Sequence, residues 1–144
     1  MVTPQIVSYL TRKNAKYQSR IFQEAEQVIS KETAAEMKRM LIKTVQEGTG
    51  RSARIEGLEI GGKTGTAQIA GGTGYLKKYI SSFVGFVNDD KGNSYTIGVT
   101  VINPNPIRPH YYAAQSAVPV FKEIIQNLIK LNYLTPKEDI NLEN

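Results

Sequence analysis

Lys63, Thr64, Gly65 and Thr66 put one primary amine and two hydroxyls into four consecutive residues, inside the glycine-rich stretch GLEIGGKTGTAQ from Gly57 to Gln68. Two chemistries can use that arrangement. Counted from Gly57, the stretch matches G-x-x-x-x-G-K-[ST], a loop whose backbone amides cradle nucleotide phosphates. Counted from Lys63, it is a cation beside two hydroxyls on an extended segment. If Leu58 to Gln68 is an edge strand, its bare glycines let another chain approach, and its free N–H and C=O groups pair with an extended ligand. Lys63 would then orient a carboxylate and tune a neighbouring proton, with Thr64 and Thr66 offering hydroxyls. A surface lysine on a glycine-rich strand accounts for the same letters without any function.

The flanks bear on the choice. A phosphate loop leaves a buried hydrophobic strand and opens a helix whose N-terminal amides hold the phosphates. Residues 51–57, RSARIEG, are too polar for that strand, and residues 65–72, GTAQIAGG, carry three glycines and no helical period. Nucleotide binding through Gly57 to Thr64 stays as a rival to the strand reading.

Other candidate chemistry is sparse. Cysteine is absent, which excludes thiolate metal sites, disulfides and cysteine nucleophiles. No metal or other cofactor is expected. His110, the only histidine, would have to serve as base in any Ser-His-Asp arrangement, but it sits in a proline-rich loop beside Tyr111 and Tyr112, where a structural role suffices. Those two tyrosines either shape a rim or cap the last helix. Asp89 and Asp90, within DDKGN, read as turn formers rather than paired catalytic carboxylates. The formal net charge is +5, yet Arg12, Lys13, Lys16, Lys38, Arg39, Lys43, Lys77 and Lys78 are scattered, so no nucleic-acid partner is expected. A hydrophobic fraction of 40% with 22% charged residues belongs to a globular protein rather than a disordered one. No apolar run reaches the roughly 20 residues of a membrane span, and no secretory signal follows Met1.

The elements that must position Lys63 to Thr66 follow from periodicity. Ile6 to Leu10 and Tyr17 to Phe22 predict a hairpin about a polar turn at Arg12 to Lys16. Ser30 predicts an N-cap, followed by a helix with Met37, Met40, Leu41, Thr44 and Val45 on one stripe and a stop at Gly48. Leu58 to Ile69 reads as extended, with a flexible loop at Gly71, Gly72 and Gly74. Strands are expected at Tyr79 to Val87 and Ser94 to Ile102, the second with Tyr95, Ile97, Val99 and Val101 on one face. A last helix, about Tyr112 to Leu131, would carry Val120, Ile124, Leu128 and Leu131 inward, with Pro119 kinking it or marking its start. The tail from Thr135 is polar and expected to fray. The fold class is therefore α+β, an antiparallel sheet packed with helices. Residues 1–134 form the domain part and 135–144 a polar tail.

Lys63-Thr64-Gly65-Thr66-Ala67-Gln68 resembles the third motif of class B penicillin-binding proteins, the monofunctional peptidoglycan transpeptidases. Glu47-Gly48-Thr49-Gly50, Ser82-Phe83-Val84-Gly85-Phe86 and the segment from Tyr112 through Pro119 to Ile124 resemble other parts of that family, in the same order. The Ser82-Phe83 form is similar to the septal, division-type branch. The resemblance implies a partial penicillin-binding/β-lactamase-like fold holding the third, fourth and fifth strands of a five-stranded sheet. It implies that an S-x-x-K serine attacks the penultimate D-alanine carbonyl of a stem peptide, and that an amine from a neighbouring stem then takes the acyl group. β-Lactams imitate the D-alanyl-D-alanine end. Lys63 would contribute to proton relay, Thr64 and Thr66 would bind the substrate carboxylate, Gly65 would stay bare beneath the substrate, and the Thr66 N–H would be one of two oxyanion donors. Strand alternation puts Lys63 and Gly65 on one face and Thr64 and Thr66 on the other, so one site can use all four only on a twisted edge strand.

None of the eight serines is followed by Lys at the third position or Asn at the second, so the chain has neither the S-x-x-K nor the S-x-N motif of the family. The resemblance therefore implies the C-terminal part of a transpeptidase domain, inactive alone. It implies a parent anchored at the periplasmic face of the inner membrane by an N-terminal segment, with divisome partners including a SEDS-family glycosyltransferase. Without a first strand beside it, the strand from Ser94 to Ile102 would leave its edge and apolar face uncovered, favouring self-association. A non-catalytic interaction or scaffold module is the alternative.

Overall fold

A computed structural model describes residues 10–12, 15–17, 27–72, 74–104 and 111–137. The chain divides into two units, residues 1–35 and 36–144. In the first, β1 (Leu10–Arg12) and β2 (Ala15–Tyr17) pair antiparallel with Leu10 opposite Tyr17 and Arg12 opposite Ala15. Arg12, Ala15 and Lys16, expected in the turn, are thus strand residues. The remainder of the expected hairpin, 6–9 and 18–22, lies outside the described residues.

Helix α1 spans Lys31–Gln46. Its start is the one the sequence marks: the Ser30 hydroxyl accepts the Thr33 N–H at 3.1 Å, meeting one of the unpaired donors of the first turn. The expected stripe is buried only at its end. Val45 is buried and Leu41 and Thr44 are half-buried, whereas Met37 and Met40 are 53% and 55% exposed. The helix ends near Gly48 as expected, but not through a left-handed glycine. The Gly48 and Gly50 N–H groups both donate to the Thr44 carbonyl, at 3.0 and 3.1 Å, and a Cβ on Gly48 would sit 2.9 Å from that oxygen.

The second unit is built on an antiparallel sheet in the order β3-β4-β5. β3 (Glu59–Gly71) and β4 (Gly74–Asn88) pair from Glu59–Asn88 out to Gly71–Gly74, with an irregularity between Gln68 and Ala70. Gly71 and Gly74, read as loop, therefore extend the hairpin. β4 starts five residues before its expected start at Tyr79, because a strand needs only pairing here and not an apolar face. β5 (Ser94–Ile102) occupies the range read from its alternation.

A 3-10 turn at Ala113–Gln115 precedes α2 (Ala117–Lys130). Pro119 is its third residue, where no intrahelical N–H is missed, so it marks the start and makes no kink. The buried line of α2 is Ala117, Val118, Phe121 and Ile125; Val120, Ile124 and Leu131 are exposed. Two stripes of similar hydropathy compete on this helix, and glycine sockets decide between them. A Cβ at Gly85 would lie 3.0 Å from the Phe121 ring, which stacks edge-on against Phe83 with centroids 4.7 Å apart. The sheet thus receives Phe121 where it has no side chain of its own. With Val45, Ala53, Ile60, Val87, Val99 and Leu134, these residues form the core.

β5 corrects one expectation. Its apolar face is covered: Val99 is buried, and Tyr95, Ile97 and Val101 pack against the core. Among the described residues β5 pairs only with β4.

Residues 135–137, expected to fray, are held. The Thr135 N–H donates to Asp89 Oδ2 at 3.1 Å, and the Lys137 N–H donates to the Gly57 carbonyl at 2.9 Å. Asp89 is the turn former the sequence indicated, its Oδ1 accepting the N–H groups of Lys91 and Asn93 at 3.0 and 2.8 Å. Hydrogen bonds from the Asn93 side chain, and then from these backbone donors, hold the Asp89 carboxyl below its ordinary value. A depressed folded pKa means that this stabilisation is present above the unfolded value, about 3.9, and is lost as pH falls through the folded one. The melting temperature should accordingly drop on acidification below about pH 4, and Asp89→Asn should flatten part of that drop. An unchanged acid profile in the variant would refute the assignment.

Candidate functional site

β3 is one continuous strand through the whole of GLEIGGKTGTAQ from Glu59 onward. That overturns the phosphate-loop reading: Glu59 to Gln68 are paired residue for residue with β4, leaving no loop to wrap a phosphate and no helix to end on one. A concavity of about 830 Å³ does lie at the start of β3, but Glu47, Glu56, Glu59, Asp89 and Asp90 line it against Arg54 and Lys137. Such a lining repels a polyanion. Lys63 is not part of it, because the features at Lys63 belong to a strand edge and not to a cavity.

Among the described residues β3 pairs only with β4, and none of them adds a strand at its other edge. Along that edge the alternation holds. Lys63 and Gly65 stand opposite Val84 and Ser82, on the exposed side of the sheet, while Thr64 and Thr66 stand opposite the buried Phe83 and Ser81, on the side of α2. Lys63 Nζ donates to the Thr64 carbonyl at 2.8 Å. Thr64 is half-buried, and its Oγ1 lies 2.7 Å from Thr49 Oγ1. Thr66 Oγ1 accepts the N–H of Ala113 at 3.2 Å. Cation and hydroxyls thus flank a shared edge from opposite faces.

Glycines along the strand differ in purpose. A Cβ at Gly61 would sit 2.5 Å from the Phe86 ring, and one at Gly62 would sit 2.5 Å from the Phe83 ring, so both are bare because the protein fills their space. Gly65 has nothing within 4 Å of such a Cβ. Its bareness serves no packing within the described structure.

Three contacts around the strand were not foreseen from the sequence, although Thr49, Tyr111 and Tyr112 themselves were named there. Thr49 reaches the strand from the turn after α1, a contact 15 residues away in sequence that no local pattern announces. Tyr79 stacks on Tyr111 with centroids 4.3 Å apart, and Tyr111 lies against Tyr112 at 4.4 Å, so the tyrosine pair forms an aromatic cluster next to Ala113 and Thr66. The buried Ser81 hydroxyl donates to the Tyr111 carbonyl and fixes that segment to β4. His110 lies outside the described residues.

Comparison with known proteins identifies the family of this fold. The family model of the penicillin binding protein transpeptidase domain matches residues 1–126. The chain belongs to that family. It is 42% identical over 109 residues to stage V sporulation protein D of Bacillus subtilis, covering 72% of this chain and 16% of the relative. It is 30% identical over 132 residues to the peptidoglycan D,D-transpeptidase FtsI of Buchnera aphidicola, covering 90% and 22%. Penicillin-binding protein 3 of Mycobacterium tuberculosis, solved in complex with ampicillin, superposes with a TM-score of 0.69 at 26% identity, over 97% of this chain and 33% of that one. The transpeptidase domain of Burkholderia pseudomallei penicillin-binding protein 3 gives 0.65 at 29% identity, over 90% and 37%. The chain spans about a sixth to a fifth of the length of these curated relatives, and its α+β fold is part of theirs.

Proposed function

We propose that Lys63 to Thr66 form one wall of the acyl-transfer site of a serine-type peptidoglycan D,D-transpeptidase. The observation that carries the reading is the edge of β3 that no described strand covers, with no described atom within 4 Å of a Cβ on Gly65, flanked by Lys63 and by two threonine hydroxyls. An extended D-alanyl-D-alanine end lies along that edge, pairing with its free backbone groups. The Thr64 and Thr66 hydroxyls hold the terminal carboxylate. A serine hydroxyl attacks the penultimate carbonyl; the Thr66 N–H stabilises the oxyanion; the C–N bond breaks, and terminal D-alanine departs with the proton. Lys63 supplies positive field and a path for protons. The amine of a second stem then takes the acyl group and frees the serine. A β-lactam enters the same way and leaves the serine acylated.

The serine is not in this sequence, which has no S-x-x-K. Losing the nucleophile costs on the order of 10⁶ in turnover, whereas one oxyanion donor is worth roughly 3 kcal/mol, so Lys63 and Thr66 cannot compensate and the chain alone is inactive. A septal role, a periplasmic membrane-anchored parent and divisome partners including a SEDS-family glycosyltransferase complete the proposal. Their support is the relative named FtsI and the Ser82-Phe83 sequence. In this reading the domain part extends through residue 137, since Thr135 and Lys137 are tied to Asp89 and Gly57.

The test is a chimera of the Bacillus subtilis relative in which this chain replaces its matching segment. Fluorescent penicillin should label the chimera covalently and leave the 144-residue chain unlabelled. A folded chimera that stays dark favours the scaffold reading, and a labelled chain alone would place the nucleophile within it. Sedimentation of the chain reads whether the edge of β5 away from β4 pairs copies.

A further inference from the structure

The two threonine hydroxyls of β3 are each supplied with a hydrogen-bond partner, by different means. Thr66 Oγ1 accepts a backbone N–H, that of Ala113. A hydroxyl that accepts keeps its single proton free to donate elsewhere. Among the described residues no backbone N–H donates to Thr64 Oγ1; its partner is the Thr49 hydroxyl at 2.7 Å. Either oxygen can donate in that pair, so the direction depends on what else each one faces.

Thr49 is held firmly. The N–H groups of Gly48 and Gly50 both donate to the Thr44 carbonyl, and the Arg51 N–H donates to the Gly48 carbonyl at 3.2 Å. Gly50 is buried, and a Cβ there would lie 3.2 Å from Val45 and 3.3 Å from the Phe83 ring, a tight fit. The turn after α1 is therefore pinned at both ends, and it presents one hydroxyl to β3.

Resting on the carboxylate-binding role given to Thr64 above, we propose that Thr49 is a positioning residue that donates to Thr64 Oγ1 and thereby turns the Thr64 proton toward the substrate carboxylate. With Thr49 donating, Thr64 and Thr66 both act as acceptors inside the protein and donors outward. Two O–H groups two residues apart on one face then meet one anion. With a methyl in place of the Thr49 hydroxyl, Thr64 loses its fixed rotamer and its polarised O–H.

The chain itself gives the first readout. Three-bond couplings to the Thr64 methyl carbon should show a single side-chain rotamer in the native chain and in Thr49→Ser, and averaging in Thr49→Val. Thr66 should be unchanged in all three. A locked Thr64 in Thr49→Val, release in both variants, or unfolding of Thr49→Val alone would each overturn the proposal, since each makes Thr49 either idle or merely structural. The second readout is the acylation rate of the chimera by benzylpenicillin and by its methyl ester. Thr49→Val should slow the free acid about tenfold, the scale of one hydrogen bond to a charged group, and the ester by less than about twofold. Thr49→Ser should restore the free acid to within about twofold. Equal losses for acid and ester refute the carboxylate link. If the folded native chimera does not label at all, the transpeptidase reading falls and takes the carboxylate link with it, while the couplings alone decide whether Thr49 orients Thr64.

Discussion

Phe83→Ala is expected to lower the unfolding free energy of the chain by about 3–5 kcal/mol, enough to unfold a marginal domain. Phe83 is fully buried in the middle of β4, with Phe121 of α2 edge-on at 74°. Its ring also fills the space that Gly62 leaves bare, and touches the limit of what Gly50 leaves. Truncation removes the ring from a place where two of the neighbours have no side chain to move in. The cavity therefore stays open, and the cost approaches the upper end for its type. Val84→Ala, one residue on and 57% exposed, should change stability by less than about 0.5 kcal/mol. Urea titrations with matched slopes check both. A loss below about 1 kcal/mol for Phe83→Ala would mean that the glycine sockets collapse around the gap.

The same sockets explain how much of the fold was legible. Alternation in β5 gave its whole extent, because one face is covered by apolar core and the other is solvated. Ser30 gave the start of α1, since capping is local chemistry. The inward face of α2 was legible only at Leu128, which packs against the core: Val120, Ile124 and Leu131 compete with Val118, Phe121 and Ile125 on hydropathy, and Gly85 across the interface makes room for Phe121. The extension of β3 and β4 to Gly71 and Gly74 was hidden for a related reason. Glycine-rich sequence reads as loop, and pairing with a neighbouring strand overrides that preference.

The site divides along the same line. Lys63 to Thr66 are contiguous, so the sequence carried them whole. Thr49 and Ala113 lie in stretches the resemblance marked, but their contacts with Thr64 and Thr66 arise only through tertiary structure. An edge, moreover, is a property of a sheet and not of a strand: only the order β3-β4-β5 sets the hydroxyls of Thr64 and Thr66 and the amine of Lys63 along a side of β3 that is unpaired among the described residues.

Gly62→Ala and Gly65→Ala should separate packing from function on one strand. At Gly62 the new methyl meets the Phe83 ring at 2.5 Å and the Val84 carbonyl at 2.9 Å, and neither can give way without moving the core or the β3–β4 ladder. Overpacking of that kind costs about 1–3 kcal/mol. At Gly65 the methyl meets nothing within 4 Å, and the backbone there has no positive φ for a side chain to strain. Gly65→Ala should then leave stability within about 0.5 kcal/mol, or raise it slightly by restricting the unfolded chain. Acylation of the chimera should show the reverse ranking once the side chain is large enough. Gly65→Val places branched carbon where the ligand backbone must lie, and a displacement of about 1 Å at a reacting centre is worth about 100-fold in rate. Melting and penicillin-labelling rates on the same three variants measure both scales. A folded, thermally unchanged Gly65→Val chimera that acylates at the native rate would mean that no ligand strand lies over Gly65, and this edge of β3 would lose its role as substrate wall.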